Sequence, residues 1–190
     1  LLLIIYLWPR FMKSGFVNIF GKPNAGKSTL LNALMGEKLA IVSPKVQTTR
    51  HRIKGIPTDD NYQIIFADTP GIMEPKYKLH EKMMQAVKGS LEDADVALLI
   101  VDIKDDMVAA DEIFSSLKLK VPAIVVLNKV DVADEELVEK VRQFFAEKIY
   151  CKNIVVVSAL KKVGMKELLD VILSLLPEGE PFYQDDNLSD

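Results

Sequence analysis

The chain has 190 residues, with 24 Lys and Arg against 27 Asp and Glu and a net charge of −3. That length fits one domain able to bury a core, and the charge excludes a protein drawn to nucleic acid by a general basic surface. A single cysteine, Cys151, excludes an intrachain disulfide and suits a reducing, cytoplasmic setting.

The chain begins Leu1-Leu2-Leu3-Ile4-Ile5-Tyr6-Leu7-Trp8, a run too short to span a bilayer. It has neither a basic leader nor a clear small-residue cleavage site, so it makes a poor signal peptide. Residues 1–12 read as an extension outside the domain, upstream sequence ahead of a start at Met12. A short membrane-touching arm is the alternative. The domain is expected over residues 13–176. The Pro- and acid-rich stretch from Pro177 to Asp190 reads as a linker toward a further domain.

Within the domain, residues 16–20, 62–67, 96–101, 123–127 and 154–157 form short, nearly continuous apolar runs rich in β-branched residues. Such runs predict strands buried on both faces of a parallel sheet. Residues 52–58 are more polar and contain Pro57, which predicts an edge position. Helical spacing of apolar residues marks five helices. They are carried by Leu30, Leu31 and Leu34 (with Gly36 as the stop), by Leu79, Met83 and Val87, by Ala110, Ile113, Phe114 and Leu117, by Leu137, Val138, Val141, Phe144 and Phe145, and by Met165, Leu168, Leu169, Ile172, Leu175 and Leu176. These stripes face a core. The alternation predicts an α/β fold with three layers, α/β/α, around a mostly parallel sheet of six strands with one antiparallel edge strand.

Four motifs fall just after strand-like runs, where ligands bind in such sheets. The first is Gly21-Lys22-Pro23-Asn24-Ala25-Gly26-Lys27-Ser28, followed by Thr29. It matches the phosphate-binding loop G-x-x-x-x-G-K-[ST]. Its two glycines let backbone N–H groups turn inward, and the helix starting near Lys27 adds its positive end. Lys27 is expected to bridge β- and γ-phosphate oxygens and Ser28 to offer its hydroxyl to Mg²⁺. A triphosphate carries about four negative charges, more than one lysine balances, so a divalent cation is needed.

The second motif is Asp68-Thr69-Pro70-Gly71. Asp68 is expected to hold Mg²⁺ through a water, and Gly71 to bring its N–H to the γ-phosphate. Thr69 and Pro70 shape the loop. Between these motifs lies Ser43-Pro44-Lys45-Val46-Gln47-Thr48-Thr49-Arg50-His51-Arg52. A triphosphate sensor needs a hydroxyl that reaches Mg²⁺ when the γ-phosphate is present. Thr49 is the first choice and Thr48 the second. Its basic residues, with Lys54, read as a solvated switch loop or as a contact to RNA or a partner domain.

The third and fourth motifs are Asn128-Lys129-Val130-Asp131 and Ser158-Ala159-Leu160. The Asp131 carboxylate matches the paired N1–H and N2–H₂ donors of guanine. Adenine lacks that pair, and discrimination built on it reaches roughly four to five decades. Asn128 is expected to fix the loop and touch the base edge, and the Lys129 stem to cover the base face. Ala159 is expected to donate its N–H to guanine O6. The residue after Gly71 is Ile72, where many such enzymes carry a water-orienting glutamine. Intrinsic hydrolysis is therefore expected to be slow or to use another device. Asn24 is either a ligand for a monovalent cation such as K⁺ or only a turn residue. His51 and His80 receive no catalytic role.

The segments 21–32, 43–52, 68–71 and 128–131, with the tail 176–190, resemble the bacterial Era GTPases, within the wider group of P-loop NTPases with the small G-protein fold. The resemblance covers residues 13–190. It implies a Mg²⁺-dependent GTPase, binding GTP and GDP, of ribosomal small-subunit assembly. It also implies a C-terminal KH domain in a longer form that binds 16S ribosomal RNA, and peripheral association with the inner face of the membrane. The chain is expected to be monomeric. Ile72 and the Asn24 cation reading fit the same family. The alternatives are a related tRNA-modification (TrmE-like) or EngA-type GTPase domain, and a GTP-sensing interaction module with negligible turnover. An ATPase is disfavoured by Asn128-Lys129-Val130-Asp131.

Overall fold

The structure is a computed structural model that describes residues 11–36, 52–68 and 94–183, with Arg52 and Asp68 described by their backbone alone. The expected helix around Leu79, Met83 and Val87 and the site residues Thr48, Thr49, Thr69, Pro70, Gly71 and Ile72 lie outside the described residues.

Among the described residues, eight strands form one sheet. They are β1 (Met12–Gly21), β2 (Arg52–Gly55), β3 (Thr58–Asp59), β4 (Tyr62–Asp68), β5 (Val96–Asp102), β6 (Ala123–Asn128), β7 (Cys151–Val156) and β8 (Glu178–Gly179). The described helices are α1 (Lys27–Met35), α2 (Met107–Ser116), α3 (Glu135–Ala146) and α4 (Met165–Leu175). The main path runs β2-β4-β1-β5-β6-β7. All its neighbours are parallel except β2, which pairs antiparallel with β4 at the edge. This is the six-stranded, mostly parallel sheet expected. Two-residue strands add to it, β3 on β4 and β8 on β1.

The central strands are buried on both faces, which explains their unbroken apolar character. On one face Val17, Ile19, Leu98, Ile100, Ile124 and Val126 pack with Leu30 of α1 and with Leu168 and Ile172 of α4. On the other face Phe20, Leu99, Val101, Val125 and Leu127 pack with Ile113 and Phe114 of α2 and with Val141 and Phe145 of α3. The result is three layers, α/β/α. Helix starts follow from local chemistry. The Asp106 side chain accepts from the N–H groups of Val108 and Ala109 to cap α2, and Asp134 accepts from Leu137 N–H to cap α3. Gly36 ends α1 with φ at 56°.

The segment expected to be a linker packs back on the sheet over residues 177–183. β5 pairs with β1 only from Val17 onward, so the first residues of β1 have an open edge. β8 fills it, pairing Met12 with Gly179 and Lys13 with Glu178. Beyond it the Gln63 amide clasps Tyr183. Gln63 Nε2 donates to Tyr183 O at 2.8 Å, and Tyr183 N–H donates to Gln63 Oε1 at 2.9 Å. The Phe182 ring meets Phe16 edge-on at 5.1 Å. β1 accordingly starts at Met12, which is buried, rather than near residue 16.

Candidate nucleotide site

β1 lies between β4 and β5, and the chain crosses from one side of it to the other. The carboxyl end of β1 is therefore a topological switch point, where open α/β sheets bind ligands. The loop from Gly21 to Gly26 leaves the sheet there. At Gly21 a Cβ would lie 2.7 Å from Ile100 O, so the loop departs against the β5 backbone in a space that only glycine fits. Asn24 adopts the left-handed conformation at φ 64°, which asparagine tolerates better than most residues. Gly26, at φ 95°, begins α1, and a Cβ there would collide with Asn128 Nδ2.

Asp106 caps α2 and Asp134 caps α3, whereas α1 has no side-chain cap and no acidic residue in its first turn. Its leading N–H groups and positive helix end are unopposed by a carboxylate, the arrangement that favours an anion. The Lys27 ammonium curls back over the loop and donates to Gly21 O at 2.9 Å and Lys22 O at 2.8 Å. Ser28 and Thr29 are exposed in the first turn. Lys22, Pro23 and Ala25 complete the loop, with Ala25 buried. Asp68 is the last residue of β4, in register with Ile19 of β1. That sets its backbone on the same rim as Ser28. A hydroxyl and a carboxylate are hard oxygen donors of the kind Mg²⁺ takes, so the residue types present fit that ion.

Asn128, at the end of β6, ties two of the motif loops together. It is 1% exposed. Its Nδ2 donates to Ala25 O at 2.9 Å, and its Oδ1 accepts from Ala159 N–H at 3.0 Å. Ala159 N–H, expected to face guanine O6, here donates to Asn128 Oδ1, a buried amide oxygen that takes a donor. Lys129 follows in the left-handed conformation at φ 65°, and a single 3₁₀ turn over Val130–Val132 carries Asp131. Val130 N–H donates to Val157 O at 3.3 Å. Ser158 Oγ donates to Asp131 Oδ1 at 2.5 Å and accepts from Lys161 N–H at 3.2 Å. Asp131 itself is exposed, and its Oδ2 has no partner among the described residues. Ser158 and Val163 exchange backbone hydrogen bonds, closing the turn that holds Ala159 buried and Leu160 exposed.

The structure thus brings together the phosphate loop, Asn128-Lys129-Val130-Asp131 and Ser158-Ala159-Leu160 at one rim. Two contacts were not anticipated from sequence. Ser158 acts on Asp131 through its hydroxyl, where only the following N–H had been given a role. Asp102, the last residue of β5, pairs with Lys129 at 2.6 Å. An acidic residue closing an apolar strand was the available signal.

Comparisons with known proteins agree with this geometry. The family model described as 50S ribosome-binding GTPase matches residues 16–129. The GTPase Era of Thermoanaerobacter sp. (strain X514) is 44% identical over 180 residues, which is 94% of this chain and 60% of that relative. A crystal structure of a variant of Aquifex aeolicus Era bound to GDP and AlF4⁻ has a TM-score of 0.75 at 43% identity, covering 92% of this chain and 61% of that one. A structure of Era in complex with MgGDPNP and nucleotides 1506–1542 of 16S ribosomal RNA has a TM-score of 0.76 at 43% identity, with the same coverage. The chain spans about 60% of the length of the Era relative it matches. A phosphate loop, an asparagine staple and a seated Asp131 on a switch-point sheet, together with a family match over more than half its length, show that this chain belongs to the 50S ribosome-binding GTPase family and is similar within it to the Era GTPases.

Proposed function

We propose that this chain binds GTP and GDP with Mg²⁺, hydrolyses GTP to GDP and phosphate, and serves as the switch part of an Era-type factor in small-subunit assembly. The observation that carries the reading is the Asn128 amide, which joins the phosphate loop to the 158–160 turn through two buried hydrogen bonds. One rigid staple thereby sets the distance between the phosphate site and the base site, which is what a nucleoside phosphate must match.

In this reading Gly21, Lys22, Pro23, Asn24, Ala25 and Gly26 wrap the β-phosphate with backbone N–H groups. The Lys27 ammonium exchanges its carbonyl partners for β- and γ-oxygens, and Thr29 extends the N–H row. Ser28, Asp68 and Thr49 would hold Mg²⁺, which when bound neutralises charge on the β- and γ-phosphates. Gly71 receives the γ-phosphate, with Thr69, Pro70 and Ile72 forming its loop. Lys27, Thr49 and Gly71 are the proposed catalytic set. Asp131 reads guanine N1–H and N2–H₂. Ser158 keeps its carboxylate oriented while leaving lone pairs on both oxygens. Lys129, Val130, Ala159 and Leu160 line the base. Asn24 as a K⁺ ligand is a separate proposal, since its left-handed backbone already gives it a turn role. Equal turnover in Na⁺ and K⁺ would remove it.

The family description names the 50S subunit, while a similar structure is an Era complex with a 16S fragment. The 44% identity to an Era protein and the 43% identity to the Era chain of that complex favour the small subunit and 16S ribosomal RNA as partner. The RNA contact belongs to a longer form with a KH domain. A cytoplasmic location, peripheral contact with the inner face of the membrane and a monomeric state rest on the sequence resemblance alone. The division into an extension over 1–12, a domain over 13–176 and a connecting segment over 177–190 rests on the composition of the two ends, and residues 177–183 pack on the sheet. Among the described residues no helix is long and apolar enough to cross a membrane.

Single-turnover hydrolysis of GTP with Mg²⁺ tests the enzymatic reading. Slow phosphate release that disappears in Lys27→Ala supports it. Equal rates in both proteins would leave a binding module without turnover.

A further inference from the structure

Asp102 and Asn128 are register partners at the ends of β5 and β6, so the residue after Asn128 is delivered beside the Asp102 carboxylate. The left-handed backbone of Lys129 turns its side chain back over the sheet rim. Its stem passes Gly26, with Cε 3.9 Å from where a Gly26 Cβ would lie, and its ammonium reaches Asp102 Oδ2 at 2.6 Å. Asp102 is itself fixed, because Oδ1 accepts from Lys104 N–H at 3.0 Å. The Asp102 side chain is 18% exposed and that of Lys129 37%. The pair sits at the site's wall rather than on open surface.

We infer that Asp102 is a positioning residue for guanine-nucleotide binding: it holds the Lys129 ammonium so that the lysine stem stands as a fixed wall against the phosphate loop. A lysine stem has several rotatable bonds, and ordering one on binding costs affinity. A carboxylate that orders it beforehand removes that cost. The inference rests on the guanine-nucleotide reading of this site.

A double-mutant cycle on the intact chain tests it. Asp102→Asn keeps the acceptor for Lys104 N–H and removes only the charge facing Lys129. Lys129→Met keeps an apolar stem and removes the ammonium. The readout is release of methylanthraniloyl-GDP from Mg²⁺-loaded protein, with a thermal melt of each variant to verify folding. Asp102→Asn is expected to speed release about tenfold, the scale of one charge-assisted hydrogen bond. The double variant is expected to release no faster than Lys129→Met alone. Wild-type or slower release from Asp102→Asn overturns the inference, as do effects that simply multiply. A wild-type chain that retains no analogue overturns the nucleotide reading together with this one. Retention by wild type with an indifferent Asp102→Asn overturns this inference alone.

Discussion

Asn128→Ala is the most informative single perturbation of the rim. The side chain is 1% exposed and makes two buried hydrogen bonds, to Ala25 O at 2.9 Å and from Ala159 N–H at 3.0 Å. Truncation leaves a buried carbonyl and a buried N–H without partners, each costing about 1–3 kcal/mol. Water entering the small gap recovers part of that, so a loss of about 3 kcal/mol is expected, well above the ordinary effect of a point substitution. Asn128→Asp separates the two bonds. It keeps an acceptor for Ala159 N–H but sets a second oxygen against Ala25 O, with no donor between them. Its cost is expected to equal or exceed that of alanine. Urea unfolding without nucleotide gives both numbers, and an unchanged m-value shows that the unfolded state is not responsible. Lys152→Ala, on an exposed position of β7, is the control. A loss for Asn128→Ala no larger than the control's would refute the staple, because its two hydrogen bonds would then carry no free energy.

Gln63→Leu removes both bonds to the Tyr183 backbone and is expected to raise hydrogen exchange at residues 177–183 at least tenfold, while β5 and β6 keep their protection; uniform protection would contradict the clasp. Asp111 lies between Lys148 at 2.7 Å, Tyr150 Oη at 2.7 Å and Ser115 Oγ at 3.2 Å. Burial alone would raise its carboxyl pKa. The Lys148 ammonium and the Tyr150 and Ser115 hydroxyls outweigh burial and hold the pKa below the ordinary value of 3.8. A depressed carboxyl stabilises the fold above its unfolded pKa and loses that stabilisation as pH falls. Asp111→Asn is therefore expected to cost about 1–2 kcal/mol from pH 7 to pH 5, with the gap closing as pH drops below about 3.8; a gap that is the same at pH 3 and pH 7 would sink this account.

The parallel strands were legible because burial on both faces leaves them no polar positions to confuse the pattern. The phosphate loop and Asn128-Lys129-Val130-Asp131 were legible because their chemistry demands particular residues at fixed spacing. What escaped depends on distant partners. Met12-Lys13-Ser14-Gly15 is a mixed stretch that becomes strand because β4 pairs with Lys13, Ser14 and Gly15 and β8 with Met12 and Lys13. Cys151-Lys152-Asn153 extends β7 because β6 lies beside it, although its own residues favour no strand. Gln63 is the polar residue in a run expected to be buried on both faces, and it is fully buried because Tyr183, 120 residues away, takes both ends of its amide. Asp102 drew no reading from sequence, because its partner Lys129 comes beside it only through the β5–β6 register. The Ala159 N–H has a partner within the protein, Asn128 Oδ1, which lies 31 residues away and leaves no local pattern around residue 159.

Competition binding measures the central claim most directly, that this rim holds a guanine nucleotide by the Asp131 carboxylate. With Mg²⁺ present, wild-type protein should bind GDP and reject ADP and XDP. Asp131→Asn should lose GDP affinity by at least a hundredfold and gain XDP, whose edge offers an acceptor where guanine offers a donor. Undiminished GDP affinity in Asp131→Asn, or no heat with GDP in the folded wild-type chain, would contradict the account.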